Sequence, residues 1–174
     1  DATTGHEVFP RVEHSSPIRD ACFSPDGRLL AAVGDDGTFQ LWSAESGEAS
    51  VGRVVHGNRL WSVEFSPDGQ RLLTGRADNV VRTAHGARMW DVGTRQALGN
   101  PLRHDDGVNT ARFSRDGTKI VTASEDGTAQ VWEVQSGKAV TKPMIHTRDV
   151  LLVHYTPPLA QFSPDGMRIL TASY

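Results

Sequence analysis

Four times the chain repeats one short phrase: Phe-Ser-Pro-Asp-Gly at 23–27, 65–69 and 162–166, and Phe-Ser-Arg-Asp-Gly at 113–117. A catalytic loop is normally needed once, so a fourfold phrase points to architecture. Its surroundings repeat as well. His14, His56 and His104 each precede the Phe of the phrase by nine residues, and Trp42 and Trp132 follow it by nineteen. Trp42, Trp90 and Trp132 each stand fourteen residues before the next histidine, which is His56, His104 or His146. Self-similarity with a period of 42 to 49 residues marks stacked supersecondary units. Such units bury their apolar faces against one another.

Turn chemistry then sets the secondary structure. Pro presets φ at about −65° in the second position of a tight turn, Asp tolerates the third, and Gly supplies the positive φ that closes it. An apolar run follows each phrase: RLLAAVG, RLLTGRA, KIVTASE and RILTASY. Each phrase therefore predicts a hairpin between two strands. A second turn signal, DDGT at 35–38 and EDGT at 125–128, leads into FQLW and AQVW. A third, more polar connection at 43–49, 91–97 and 133–139 leads to a weaker strand before each histidine. The pattern predicts four short antiparallel strands per unit, without helical periodicity. The chain reads as all-β.

Composition narrows the partners. The 174 residues carry a net charge of −3 with the two signs interspersed, which argues against nucleic acid, whose phosphates call for a concentrated basic face. A single cysteine, Cys22, excludes an internal disulfide framework. No apolar run approaches the ~18 residues of a spanning helix, so no membrane insertion is expected, and a cytoplasmic setting is favoured. The opening DATTGHEVFPRV has neither an initiating Met nor a signal pattern and reads as the middle of something longer.

The succession His…Phe-Ser-Pro-Asp-Gly…Ser-x-Asp-Gly-Thr…Trp resembles the WD-repeat β-propeller family over essentially the whole chain. The resemblance implies four-stranded blades around a channel. Asp follows the Trp only at Trp90–Asp91; Ser43 and Glu133 stand there in the other units. The phrase and the run after it are similar to bacterial members, often joined to signalling kinases or nucleotide-hydrolysing switches. The family's offset between sequence unit and blade divides the chain into an outer strand of a preceding blade (1–14), three blades (15–56, 57–104 and 105–146) and a truncated blade (147–174). Members usually carry seven blades, so ring completion is expected from the rest of a longer chain or from another copy.

His104, Ser124, Asp126 and Trp132 form the one complete polar set. A His, a Ser and an Asp together invite a hydrolase reading. The resemblance implies a structural tetrad instead, a hydrogen-bonded chain from Trp132 through Ser124 and His104 to Asp126. The partial sets favour the second reading. Gly34 accompanies His14, Asp36 and Trp42, and Arg76 accompanies His56, Asp78 and Trp90; His146 and Ser173 begin a fourth set. A catalytic triad does not decay in this way, whereas a packing device can. Removing one buried member should cost about 1–3 kcal/mol. The histidines recur once per unit and so stand apart, and no His or Cys pair has ligand spacing, so no metal and no cofactor are expected. No glycine set leads from a strand into a helix to cradle phosphate.

Two units are longer than their siblings. Phe65 to Trp90 takes 25 residues, with the surplus in DNVVRTAHGARMW, and His146 to Phe162 takes 16, with the surplus in LLVHYTPP at 151–158. In the resembled family both connections emerge on the top face. Leu151, Leu152, Val153 and Tyr155 are too apolar for a merely solvated loop. The resemblance implies that the third and fifth places after each His, and the place before the turn Asp, look outward around that rim. Trp61 stands at a fifth place beside Arg59, a composition suited to a binding hot spot; the competing reading packs it beneath the 80–87 insertion. Arg19, Arg59, Trp61, Asn109, Asp149, Leu152 and Tyr155 are the candidate face for a protein or peptide. The function expected is a non-catalytic binding scaffold. The alternatives are a regulatory domain of a multidomain bacterial signalling enzyme and, in a different class, a hydrolase, which would need Ser124 exposed.

Overall fold

Each repeated phrase is a hairpin whose side chains tie it shut. In the first, the Ser24 hydroxyl donates to Asp26 Oδ1 at 2.6 Å and accepts the Leu29 N–H at 2.9 Å, while Asp26 Oδ1 accepts the Arg28 N–H at 3.1 Å. Gly27 closes the turn at φ 71° and donates its N–H to the Ser24 carbonyl at 2.8 Å. Ser66–Asp68, Ser114–Asp116 and Ser163–Asp165 repeat the arrangement. These bonds favour the charged carboxylate. Bonding from the serine hydroxyl, then from the backbone N–H beyond the turn, holds all four aspartates below the ordinary range; Asp116, bonded also by Thr118, falls to about 2.

The computed structural model describes residues 3–7, 12–50, 52–57, 59–76, 86–146 and 159–172. Among them lie fourteen strands and no helix. The first sheet holds β1 (Ile18–Phe23), β2 (Leu29–Gly34), β3 (Thr38–Ser43) and β4 (Val54–Val55). The second holds β5 (Leu60–Phe65), β6 (Arg71–Arg76), β7 (Gly86–Asp91) and β8 (Ala97–Arg103). The third holds β9 (Val108–Phe113), β10 (Lys119–Ser124), β11 (Thr128–Glu133) and β12 (Met144–Ile145). A two-stranded sheet of β13 (Leu159–Phe162) and β14 (Ile169–Ala172) follows. Every pairing is antiparallel between consecutive strands. The fold is a partial β-propeller of four-stranded blades. The outer strand expected within 1–14 and both insertions fall largely on residues 8–11, 77–85 and 147–158, outside the described set.

Register explains why Phe, an aliphatic residue and Trp recur together. Leu30 pairs with both Phe23 and Trp42, Leu72 with Phe65 and Trp90, and Ile120 with Phe113 and Trp132. Directly paired residues share a sheet face, so each trio makes one apolar row. That row packs on the opposite face of the preceding blade. Phe65, Leu72 and Trp90 form one core with Ala31, Val33, Phe39 and Leu41, and Phe113, Ile120 and Trp132 form another with Leu73, Ala87 and Met89. Val121, Ala123 and Val131 then meet Ala160 and Phe162. The innermost strands β1, β5, β9 and β13 succeed one another side by side.

Polar bonds also cross these seams. Asp20 on β1 accepts the Val63 N–H at 3.0 Å, and Glu64 on β5 accepts the Phe113 N–H at 2.5 Å. Burial pushes the Glu64 carboxyl up against this bond, and burial pushes the Cys22 thiol up to about 11, which leaves it a packing group rather than a nucleophile.

Candidate functional site

The polar chain inside the third blade runs through Thr122. Its Oγ1 accepts the Trp132 indole N–H at 2.8 Å and lies 2.7 Å from His104 Nε2, and His104 Nδ1 lies 2.9 Å from Asp126 Oδ2. An imidazole protonated on Nδ1 completes the chain: it donates to Asp126 and accepts the Thr122 hydroxyl proton. Asp126 also accepts the Thr128 hydroxyl at 2.6 Å and the Asp105 N–H at 3.1 Å. Burial pushes its pKa up, but the bonds from Thr128, His104 and Asp105 outweigh it and hold Asp126 below the ordinary range.

Ser124, assigned above to this chain, is not a link in it. Its hydroxyl donates to the Asp106 carbonyl at 3.1 Å and accepts the Asp126 N–H at 3.1 Å. The register gives the reason. Trp132 pairs with Ile120, so Thr122 is its diagonal neighbour on the same face and Ser124 lies a further pleat away. Nor does the serine sit open beside a base: it is 1% exposed, and His104 is engaged by Thr122 and Asp126. The nucleophile–base contact of a serine hydrolase is not made here.

The other blades repeat the correction. Thr74, rather than the place held by Arg76, accepts the Trp90 indole N–H at 2.9 Å and lies 2.9 Å from His56 Nδ1. Thr171 lies 2.8 Å from His146 Nε2. Asp78 and Ser173 fall outside the described residues. In the first blade Ala32 stands at the threonine's place, and His14 Nε2 is buried with no partner among the described residues. Asp36 there is held by the Ser15 hydroxyl and by the Thr38 hydroxyl and N–H. Burial pushes Asp36 up, but these bonds and nearby His14 bring it down to about 2. The missed signal was legible: a Thr at one place in three of the four apolar runs, Thr74, Thr122 and Thr171.

At the rim, the seam between the first two blades gathers Arg19, Asp35, Arg59 and Trp61. Arg19 on β1 donates from Nε and Nη2 to the two oxygens of Asp35 at 2.7 and 2.6 Å. Arg59, just before β5, brings Nε to 3.2 Å from Asp35 Oδ1. The Arg19 guanidinium lies 5.2 Å from the centroid of the half-buried Trp61 ring. The Arg19 bond, before all other causes, lowers the Asp35 pKa, and it raises that of Arg19 in return. Asn109, at the equivalent place on β9, is buried and donates to Glu125 at 3.2 Å. Asp149, Leu152 and Tyr155 fall outside the described residues. Among the described residues, no group of three or more His, Cys, Asp or Glu is placed to hold a metal ion, and no helix is long and apolar enough to cross a membrane.

Comparison with known proteins adds the family. The model for the WD domain, G-beta repeat, matches residues 5–43, 50–83 and 98–133, more than half of the chain. Telomerase protein component 1 of Rattus norvegicus is 32% identical over 79% of this chain and 5% of its own length. Pre-mRNA-processing factor 17 of Homo sapiens is 25% identical over 89% of this chain and 25% of its own. Nuclear distribution protein PAC1 of Arthroderma otae is 30% identical over 95% of this chain and 40% of its own. The chain thus spans less than half the length of these relatives, all three of them eukaryotic.

Proposed function

We propose, from the premise that this chain belongs to the WD-repeat family, that it is a non-catalytic platform that captures a protein or peptide at its rim. The observation that carries this reading is the seam cluster of Arg19, Asp35, Arg59 and Trp61, a half-buried indole edged by the Arg19 guanidinium, with the partly exposed Arg59 on the same carboxylate. Buried aromatics ringed by charge are where binding energy concentrates. Asn109 is buried and bonded to Glu125, whereas Asp149 enters the face as the third place after His146, and Leu152 and Tyr155 enter it on the strength of the 151–158 insertion. The relatives' names point to different processes, so none of those processes is carried across. Regulation of a bacterial signalling enzyme has no observation in its favour.

The bare blade faces support a second part of the proposal. Phe65, Phe113 and Phe162 are 5%, 7% and 9% exposed beneath the preceding blade, but Phe23 is 62% exposed. Leu73 and Val121 are fully covered by the following blade, but Leu170, at the same place on β14, is 63% exposed. These faces are two halves of one repeated interface, to be covered by further blades of a longer chain or of another copy. Light scattering on this chain should report association that Phe23→Asp abolishes; a stable lone monomer removes the second-copy version.

The rim reading is tested by selecting random-sequence peptides against the chain and returning them to Trp61→Ala and Arg59→Ala. Loss of capture with an unchanged unfolding temperature supports the platform. Peptides indifferent to both substitutions overturn it.

A further inference from the structure

At the first seam two guanidiniums share one carboxylate. Arg19 uses Nε and Nη2 on Asp35, whereas Arg59 touches it through Nε alone. Both Nη groups of Arg59 are unengaged among the described residues, on a side chain 52% exposed. The bonds from Arg19 keep Asp35 ionised, so the trio carries one positive charge in surplus. Neighbouring Asp36 has a cation of its own, the Arg53 guanidinium at 4.0 Å, which offsets its charge. Arg19 covers the half-buried Trp61 ring from one side, and Arg59, two residues before Trp61 in the chain, shares Asp35 with Arg19.

We infer that this cluster receives a side-chain carboxylate of an acidic peptide, with an apolar neighbour of that residue laid against Trp61. The inference rests on the platform reading and names the chemistry of its ligand. The planar Nη1–Nη2 edge of Arg59 matches a carboxylate with two parallel hydrogen bonds. Asp35 orients both guanidiniums and competes for them, so an incoming acid shares a prepared cationic site. A nucleic acid fits less well: the chain is net −3, and phosphates along a strand need several cations in line, where this seam offers one surplus charge.

The test is fluorescence anisotropy on the whole chain with three labelled peptides of alternating Leu and Glu, Leu and Gln, or Leu and Lys. The Glu peptide should bind at least about tenfold more tightly than the Gln peptide, and the Lys peptide should not bind. Arg59→Glu should cost the Glu peptide about tenfold, and Asp35→Asn, which removes the competing charge, should tighten it about threefold. Raised salt should weaken it. Equal binding of the Glu and Gln peptides, both lost in Arg59→Glu and Trp61→Ala, overturns the acid preference and leaves the platform standing. Failure of the Glu peptide to bind while display-selected peptides still do has the same meaning. Binding that neither substitution changes overturns both readings. An oligodeoxythymidine strand that binds more tightly than the Glu peptide, and is lost in Arg59→Glu, reassigns the site to nucleic acid.

Discussion

The first and third blades share strand order, hairpins and apolar rows, yet their polar interiors differ. In the third, Trp132, Thr122, His104 and Asp126 each complete another's hydrogen bonding, and the His104 and Trp132 rings stand 5.9 Å apart. In the first, Ala32 interrupts the chain, His14 Nε2 is buried with no partner among the described residues, and the His14 and Trp42 rings stand 6.3 Å apart. A neighbouring serine has moved in: the Ser16 amide and hydroxyl lie 3.3 and 3.4 Å from His14 Nδ1. A Cβ on Gly34 would come within 2.3 Å of that hydroxyl, so the glycine there makes room for the altered loop. The sheet is thus built by turns and apolar rows. The polar chain is an added fastener that a blade can lack.

The largest effect should come from Thr122→Ala, which leaves the Trp132 N–H and His104 Nε2 buried without their partner. Urea unfolding should show a loss of about 3 kcal/mol, with Thr122→Ser recovering most of it. A loss no greater than that of an exposed substitution would erase the energetic difference between the blades. Next, Ala32→Thr should supply the missing hydroxyl between Trp42 and His14 and stabilise the chain by about 1 kcal/mol. No gain would mean that the altered loop has closed the gap. Ser124→Ala should cost about 1 kcal/mol, through its bonds to Asp106 and Asp126. It should leave the indole N–H resonance of Trp132 in place, where Thr122→Ala moves it.

The smallest and broadest effect is acid sensitivity shared by the two blades. Asp36 and Asp116 both fall from 3.8 to about 2 on folding. A folded pKa below the unfolded one contributes stability that is complete above the unfolded value and lost as pH falls through the folded one. Stability should therefore decline between about pH 4 and pH 2. Asp116→Asn should flatten that decline by one group's share, read from denaturation midpoints across the range. A decline centred near neutral pH would overturn this account.

Much of this was legible before any coordinates. Local rules sufficed for the hairpins: a Pro, an Asp and a Gly in succession prescribe a turn whatever surrounds them, and Ser24 and Asp26 bond within their own turn. His104, Asp126 and Trp132 were legible from recurrence. Their threonine was passed over because the Ser-x-Asp-Gly-Thr motif drew the reading to its first letter. The correct choice depends on a diagonal across two strands, which linear spacing does not display. At the rim, counting from each histidine on the family's pattern picks out Arg19, Arg59 and Trp61 as candidates. It could not show that Asp35 binds both arginines, or that Asn109 turns inward.

The one-dimensional pattern accounts for the repeat, its turns and the apolar row of each blade, because those depend on neighbours a few residues away in the chain. The route of the hydrogen bonds follows from which residues lie diagonally across paired strands, and the charge left over at the seam and the exposure of Phe23 and Leu170 follow from how separate sheets meet. Such contacts join residues from 10 to 49 positions apart, and their energies depend on distance and burial that no spacing rule carries.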